Sequence, residues 1–299
     1  MNDSPTQSDS LDVTVVLPAY NEVGHIRAEV DRITAALKDS PYSFEILVVD
    51  DGSSDGTPEA VDGLPFVRLL RFPVNRGSGT ARRIGSAQAR GRYVAWTDAD
   101  MTYPNERIPE FVDHLERSGA DQVVGARTSE EGTLKALRVP AKWLIRRLAE
   151  YLAQCRIPDL NSGLRVFRRE VARPYLRLLP PGFSCVTTIT LSFLANGHVV
   201  DYLPIDYRQR AGRSHFHPIK DAYRYILQVL RMITYFEPLR VFGPVALTLL
   251  VVGVGKFVFD QVRAPFNIAA NTLLLLLGGL ILFAVGLLAD LIVRTNRDA

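Results

Sequence analysis

Two apolar runs near the C-terminus constrain this chain more than any other feature. Val241 to Phe259 is apolar apart from Lys256 near its end, and Asn271 to Val293 is broken only by Asp290 close to its exit. Each is near the roughly 20 residues that a helix needs to cross the hydrocarbon core. Inside that core a lone segment satisfies its backbone only as a helix. The connection from Asp260 to Asn267 is short and holds Pro265, so the runs predict a hairpin of two membrane helices. A pair of buried core helices is the duller reading, and glycine-bearing strings such as LLLLLGGLILFAVGLL argue against it. Lys220, Arg224, Arg231 and Arg240 precede the first run, and Arg294 and Arg297 follow the second. By the positive-inside rule both ends face the cytoplasm, a bias that Arg263 in the connection weakens without reversing. The expectation is a large cytoplasmic N-terminal part tethered to the bilayer.

The length of 299 residues allows one or two domains. A net charge of +3 makes no case for nucleic acid as a partner. Cys155 and Cys185 are too few for a disulfide framework, which suits a reducing compartment. The N-terminal MNDSPTQSDS is polar, reads as no signal peptide, and is expected to be a disordered tail over residues 1–11.

From there the chain alternates. Val13 to Leu17, Phe44 to Val49, Val67 to Arg71 and Tyr93 to Trp96 read as strands. Helices are expected from about Val23 to Leu37 and from Gly77-Ser78-Gly79-Thr80 to about Ala89. Thr57 followed by Pro58 has the pattern of a further helix start, cap then proline. Strand and helix in alternation predict βαβ units, hence an α/β fold with a mostly parallel, Rossmann-like sheet and helices on both faces. Every loop after a strand is rich in Asp, Asn, Ser or Gly. In such sheets ligands bind at the carboxyl ends of the strands.

The loop after Trp96 carries Asp98-Ala99-Asp100. Two carboxylates at i and i+2 can share one hard divalent cation, Mg²⁺ or Mn²⁺, whose shell substrate phosphates complete. Alone, such a pair reads equally as a solvated turn. The surrounding loops raise the metal reading.

These residues resemble the family 2 glycosyltransferases of the GT-A fold, and among them the dolichol- or polyprenyl-phosphate mannose and glucose synthases. The resemblance runs from about Val13 to Phe236 through six ordered blocks: LPAYNE, VVDDGSSDGT, NRGSGTARRIG, DAD, DLNSGLRVF and RAGRSH. It implies that Pro18, Ala19, Tyr20 and Glu22 line the base and ribose of a nucleotide-sugar and that Asp51 meets the base. It extends the nucleotide site over Gly77, Gly79, Asp98 and Ala99, with the glycines at a helix start that suits an anion. It makes Asp98 and Asp100 metal ligands. Thr102 stands where relatives often have Gln, and reaches the metal through its hydroxyl or a water. Ser78 replaces a frequent Lys, a loss for which Arg82 or Arg83 stands in unless both are surface arginines on a helix.

The acceptor is read from what is missing. A sugar hydroxyl must lose a proton in the transition state and needs a general base. Gly182 to Gly197 holds no Asp, Glu or His, whereas many relatives that act on hydroxyls carry an acidic pair there. A phosphate monoester is already an anion, so the expected acceptor is polyprenyl or dolichyl phosphate, with Asp159 as the alternative base. Arg127, Arg210 and Arg213, with Ser214, are implied by the resemblance to place that phosphate, a task suited to the guanidinium fork. The two later arginines would equally attract anionic headgroups. Asn161, Ser162 and Gly163 are expected to shape the pocket, or simply to form a tight turn.

Ile219, Tyr223, Ile226, Leu230 and Ile233 recur at steps of four and three. They predict an amphipathic interfacial helix over 216–238, against the alternative of a packed core helix. Lys142 to Leu152 reads as a second one. Gln228 and Arg231 echo the QxxRW string of processive polysaccharide synthases, but Met232 replaces the Trp and two spans are few for a polymer channel. The expected order is thus a GT-A catalytic domain at 12–215, the interfacial helix, and a transmembrane hairpin at 239–296. Assembly through membrane helices in relatives makes a homo-oligomer an expectation. The rivals are a glycosyltransferase acting on a lipid hydroxyl and a non-catalytic membrane subunit that binds a nucleotide-sugar.

Overall fold

A computed structural model describes residues 11–128, 154–208, 234–266 and 268–297, with residues 147, 150, 151, 227 and 230–232 between them. The chain divides into two units, Met1–Tyr225 and Ile226–Ala299.

The first unit is built on a sheet of seven strands. These are β1 (Val13–Ala19), β2 (Phe44–Asp50), β3 (Val67–Arg71), β4 (Tyr93–Trp96), β5 (Gln122–Arg127), β6 (Arg165–Arg168) and β7 (Val200–Ile205). Their order is β3-β2-β1-β4-β6-β5-β7. The β1–β2, β1–β4, β2–β3 and β5–β7 pairs are parallel, while β6 runs antiparallel to both β4 and β5. The order reverses between β1 and β4, the switch point where α/β sheets open a crevice. β6 brings its N-terminal end to the edge where β1, β2, β4, β5 and β7 end. The loop before it, Asp159 to Leu164, therefore faces the loop after β4.

Alternation within the strands divides the core. Val13, Val15, Leu17, Ile46 and Val48 pack with α1 (Ile26–Lys38) and α3 (Ile108–Ser118) on one face. Val16, Leu47, Val49, Val94 and Trp96 pack with α2 (Ser78–Gln88) and α4 (Cys185–Ala195) on the other. The expected α/β architecture, with helices on both faces, is present.

Two local expectations need correction. α1 begins at Ile26 rather than Val23, because the preceding amides bond elsewhere. Glu22 N donates to Thr57 Oγ1 at 2.8 Å and Val23 N to Asp55 Oδ2 at 3.1 Å. For the same reason no helix follows Thr57-Pro58. The hydroxyl that would cap it is committed to Glu22, residues 57–63 form successive turns, and Gly63 at φ 73° ends them.

The second unit is a hairpin of α5 (Leu239–Arg263) and α6 (Ala270–Arg297), longer at both ends than the apolar runs themselves. Their mean hydropathies reach 2.0 and 2.6, and only 11% and 17% of the respective apolar windows are buried. Core helices would be mostly buried, so such length, hydropathy and exposure fit the helices of a membrane protein. The helices meet at glycines: a Cβ on Gly253 would lie 2.8 Å from Leu276 Cδ2, and one on Gly279 2.8 Å from Leu250 Cγ. Close backbone approach is the usual means of packing helices where lipid removes the hydrophobic drive. Near the turn, Lys256 Nζ pairs with Asp260 Oδ1 at 2.9 Å, and Thr272 donates to the same carboxylate across the hairpin. Of the expected interfacial helices, 216–238 and 142–152, most residues lie outside the described ones.

Gly85 sets how closely α2 sits on the sheet. A Cβ there would stand 2.5 Å from Val16 Cγ1 and 3.1 Å from Val49 Cγ2. Gly85→Ala gains about 1 kcal/mol of helix propensity but overpacks a stiff valine layer at a cost of about 1–3 kcal/mol. The overpacking wins, and the urea midpoint of the detergent-solubilised chain is expected to fall. A midpoint that holds or rises would show that the valines yield.

Candidate active site

The loop after β4 holds Asp98 and Asp100 at the carboxyl edge of the sheet. Asp98 is fixed from behind. Its Oδ1 accepts from Nη2 of Arg82, a guanidinium with no exposed surface, and the side chain of Asp98 itself is 26% exposed. Burial would push Arg82 down, but the groups around it, Asp98 foremost, together hold the arginine above its ordinary value. The opposite oxygen faces Gly163, where an added Cβ would stand 2.8 Å from Asp98 Oδ2. Only glycine leaves room for this approach, which explains the Gly in NSG. Met101 takes the left-handed region at φ 62° and turns the loop back. Thr102 then donates through Oγ1 to Asp100 Oδ1 at 2.6 Å. Its hydroxyl proton is directed at Asp100, so Thr102 stands behind that carboxylate and orients it.

The loops expected to hold a nucleotide are stitched to each other. Asn21 N donates to Ser53 Oγ at 2.9 Å, and Ser54 N donates to Asn21 Oδ1 at 2.9 Å. Asn21 sits at φ 54°, a conformation that Asn tolerates. Ala19 is buried, Pro18 and Glu22 are half-buried, and the Tyr20 ring is 48% exposed at the rim.

Asp51, by contrast, is buried and has its oxygens engaged. Oδ1 accepts from Arg76 N at 2.7 Å and Oδ2 from Gly77 N at 2.8 Å. Gly79 N donates to Pro181 O at 2.7 Å. At the start of α2, Asp51 and the 180–182 backbone therefore take up the amides of Arg76, Gly77 and Gly79. The glycines serve close packing. A Cβ on Gly79 would stand 2.6 Å from Gly182 O, and one on Gly77 3.1 Å from Pro181 C. Arg82 is likewise no surface arginine, since it is wholly buried under β4.

On the other side of the loop, Asp159 and Arg127 form a two-armed pair. Nε donates to Oδ2 at 2.7 Å and Nη2 to Oδ1 at 3.0 Å, with side chains 14% and 11% exposed. Burial pushes the Asp159 carboxyl up, but the bonds and charge of Arg127 outweigh this and hold it below its ordinary value. Asn161 is exposed beside it, and its Oδ1 accepts from Thr187 Oγ1 at 3.1 Å. The buried Tyr103 joins the two halves: its hydroxyl accepts from Gly163 N at 2.7 Å, and its ring meets Tyr207 edge-on at 5.1 Å. The Arg127 guanidinium lies over the Tyr207 ring at 5.4 Å. Arg210, Arg213 and Ser214 lie outside the described residues.

The structure thus gathers Asp98, Ala99, Asp100, Thr102, Arg127, Asp159 and Asn161 at one sheet edge. Arg82 was foreseen only as a stand-in for a phosphate-side lysine and not as the partner of Asp98, and Tyr103 and Tyr207 were not foreseen at all. The apolar partners of α2 on the sheet were a signal for the first. Nothing in one sequence marked the two tyrosines.

The sheet, its single reversed strand and the paired carboxylates after β4 define a GT-A glycosyltransferase. The chain belongs to glycosyl transferase family 2, whose model matches residues 14–176. The model of the GtrB C-terminal hairpin matches residues 237–295. The chain is 25% identical over 305 aligned positions to a dodecaprenyl-phosphate galacturonate synthase of Rhizobium johnstonii, covering 96% of this chain and 89% of the relative. It is 32% identical over 211 positions to a dolichyl-phosphate hexose transferase of Haloferax volcanii, covering 69% and 87%. Its fold is similar to glucosyl-3-phosphoglycerate synthase from Mycobacterium tuberculosis in complex with Mn²⁺, UDP and glucosyl-3-phosphoglycerate. The TM-score is 0.59 at 19% identity, over 78% of this chain and 86% of that one.

The Asp159–Arg127 pair has a pH signature. A carboxyl held low when folded contributes stability above its unfolded value, near 3.8, and that contribution disappears as pH falls through the folded value. Asp159→Asn removes the carboxylate charge that the two arms of Arg127 engage and is expected to cost roughly 3 kcal/mol at neutral pH. Urea midpoints of wild type and variant should converge as pH drops below about 4. A gap that persists into acid would assign the loss to packing.

Proposed function

We propose that this enzyme transfers one hexose, with inversion, from a nucleotide-sugar to a polyprenyl or dolichyl phosphate at the cytoplasmic face of the membrane. In this reading residues 12–215 are catalytic, 216–238 lie in the interface and 239–296 anchor the chain. Two relatives are a dodecaprenyl-phosphate galacturonate synthase and a dolichyl-phosphate hexose transferase, which supports a lipid phosphate as acceptor. The observation that carries the choice of acceptor is the state of Asp159. The acid expected to serve as a base for a hydroxyl is clamped by Arg127 and held below its ordinary value. A clamped, weakly basic carboxylate is a poor proton acceptor. A phosphate monoester needs none.

Asp98 and Asp100 suit Mg²⁺ or Mn²⁺. They offer hard oxygen donors, and among the described residues no group of three His, Cys, Asp or Glu competes as a metal site. Two protein carboxylates fit an ion that keeps waters and substrate phosphates in its shell. When bound, the metal neutralises charge on the departing diphosphate. The chain's own residues do the rest. Arg82 holds Asp98 in place, Thr102 orients Asp100, and Tyr20 offers a stacking face for the base at the rim. Arg127, with Arg210, Arg213 and Ser214, seats the acceptor phosphate. Asn161 and Gly163 shape the space between donor and acceptor.

The test is nucleoside diphosphate release by the detergent-purified chain across a panel of donors. Release that requires both polyprenyl phosphate and Mn²⁺ is expected, and Asp100→Ala should lower it at least about 100-fold with the protein still folded. Turnover retained in Asp100→Ala would remove the metal role. Release with a neutral lipid alone would transfer the reading to a hydroxyl acceptor, and binding of donor without any release to a non-catalytic subunit.

A further inference from the structure

Behind the Asp98–Asp100 loop, on the side away from the crevice, lies a buried chain of polar groups that begins on α1. Glu29 has no exposed surface. Its Oε1 accepts from Asn105 Nδ2 and, at 2.7 Å, from Arg32 Nη2. Asn105, equally buried, accepts through Oδ1 from Thr97 Oγ1. The same Arg32 nitrogen donates to Tyr103 O at 2.6 Å, and Arg32 Nη1 lies 3.4 Å from Glu106 Oε2. These contacts land on both shoulders of one loop. Thr97 is the residue before Asp98. Tyr103, Asn105 and Glu106 are the residues after Thr102. Between the two grips the chain passes through the left-handed Met101, which costs energy unless its surroundings hold it.

The second oxygen of Glu29, Oε2, is buried and has no hydrogen-bond partner among the described residues. A buried carboxylate half satisfied is costly and calls for a reason. What the carboxylate adds is an acceptor shared by Asn105 and Arg32, the latter at 2.7 Å.

We propose that Glu29, acting through Asn105 and Thr97, is a positioning residue that holds the Asp98–Asp100 loop in the shape that takes a divalent cation. It touches neither substrate nor the two carboxylates. It sets the span of the loop through the bonds of Asn105 to Thr97 and of Arg32 to Tyr103 O. The proposal rests on the reading of Asp98 and Asp100 as the metal site.

The experiment is Mn²⁺ binding to the full-length, detergent-solubilised chain in the presence of a nucleoside diphosphate, read from loss of the free-ion paramagnetic resonance signal. Thermal unfolding of each protein is measured beside it. Glu29→Gln is expected to weaken Mn²⁺ about 10-fold, the low end for groups that support metal ligands from behind, with the KM for polyprenyl phosphate unchanged. Thr97→Val removes the last hydroxyl of the relay without changing its shape. It should weaken Mn²⁺ by a smaller factor, and the double variant should fall short of the product of the two. Mn²⁺ affinity within twofold of wild type in both variants, with a lowered unfolding temperature, would make the network a structural support only and overturn the proposal. Wild type that binds no Mn²⁺ would overturn the metal reading itself, an outcome separate from unaltered variants.

Discussion

The site depends on one buried charge pair. Arg82 is a guanidinium without exposed surface, and Asp98 is the carboxylate that answers it. Removing either partner of such a pair strands a charge in low dielectric, which costs far more than the pair contributes. The pair therefore acts less as a source of stability than as a condition. α2 must lie where its second turn reaches β4, and Gly85 allows that by bringing the helix onto Val16 and Val49. With α2 so placed, Asp98 is held in position before any ligand arrives. The loop after β4 is then anchored from the α2 face of the sheet by Arg82 and from the α1 face by the relay through Asn105.

The neighbouring loops follow a similar rule. Their turn chemistry is satisfied across loops rather than within them. Thr57 and Asp55 cap the amides of Glu22 and Val23, Ser53 and Asn21 bond to each other's segments, and Asp51 gathers the amides of Arg76 and Gly77. Three segments distant in sequence thus become one surface at the edge of β1 and β2. A rim built this way loses little freedom on binding, which favours affinity without added contacts.

Much of the architecture could be read from the sequence because it rests on periodicity. Strands such as VTVVL and YVAW and the two long apolar runs match their observed elements within a few residues. The misses share a cause. Pro58 carries the local signal of a helix start, but its cap, Thr57, bonds to a residue 35 positions earlier. Nothing local to the Gly-x-Gly shows that Asp51, just after β2, bonds the amides of Arg76 and Gly77, or that the backbone after Leu179 packs against both glycines. Arg82 reads as solvated until the sheet beneath it is known. The pairing of Asp98 and Asp100 was legible because both lie in one loop. The clamp of Arg127 on Asp159 spans 32 residues and follows only from β6 running antiparallel beside β5.

Charge at the sheet edge then argues for an anionic substrate more strongly than the residue count does. Asp51, Asp98 and Asp159 are already answered, by two amides, by Arg82 and by Arg127. Arg165 adds a cation of another kind. It is wholly buried on β6 and donates to Val186 O at 2.6 Å, to Thr190 Oγ1 at 2.7 Å and to Ser162 O. Burial pushes it down to about 10, still well above neutral pH. Among the described residues no carboxylate pairs with it. Its charge is screened by neutral dipoles alone, and the carbonyl of Ser162 links it directly to the loop that contacts Asp98. Positive potential in a low-dielectric wall reaches farther than the same charge in water. A crevice that looks acidic by composition is therefore less repulsive to a phosphate than its carboxylates suggest, and a hydroxyl acceptor would gain nothing from that arrangement.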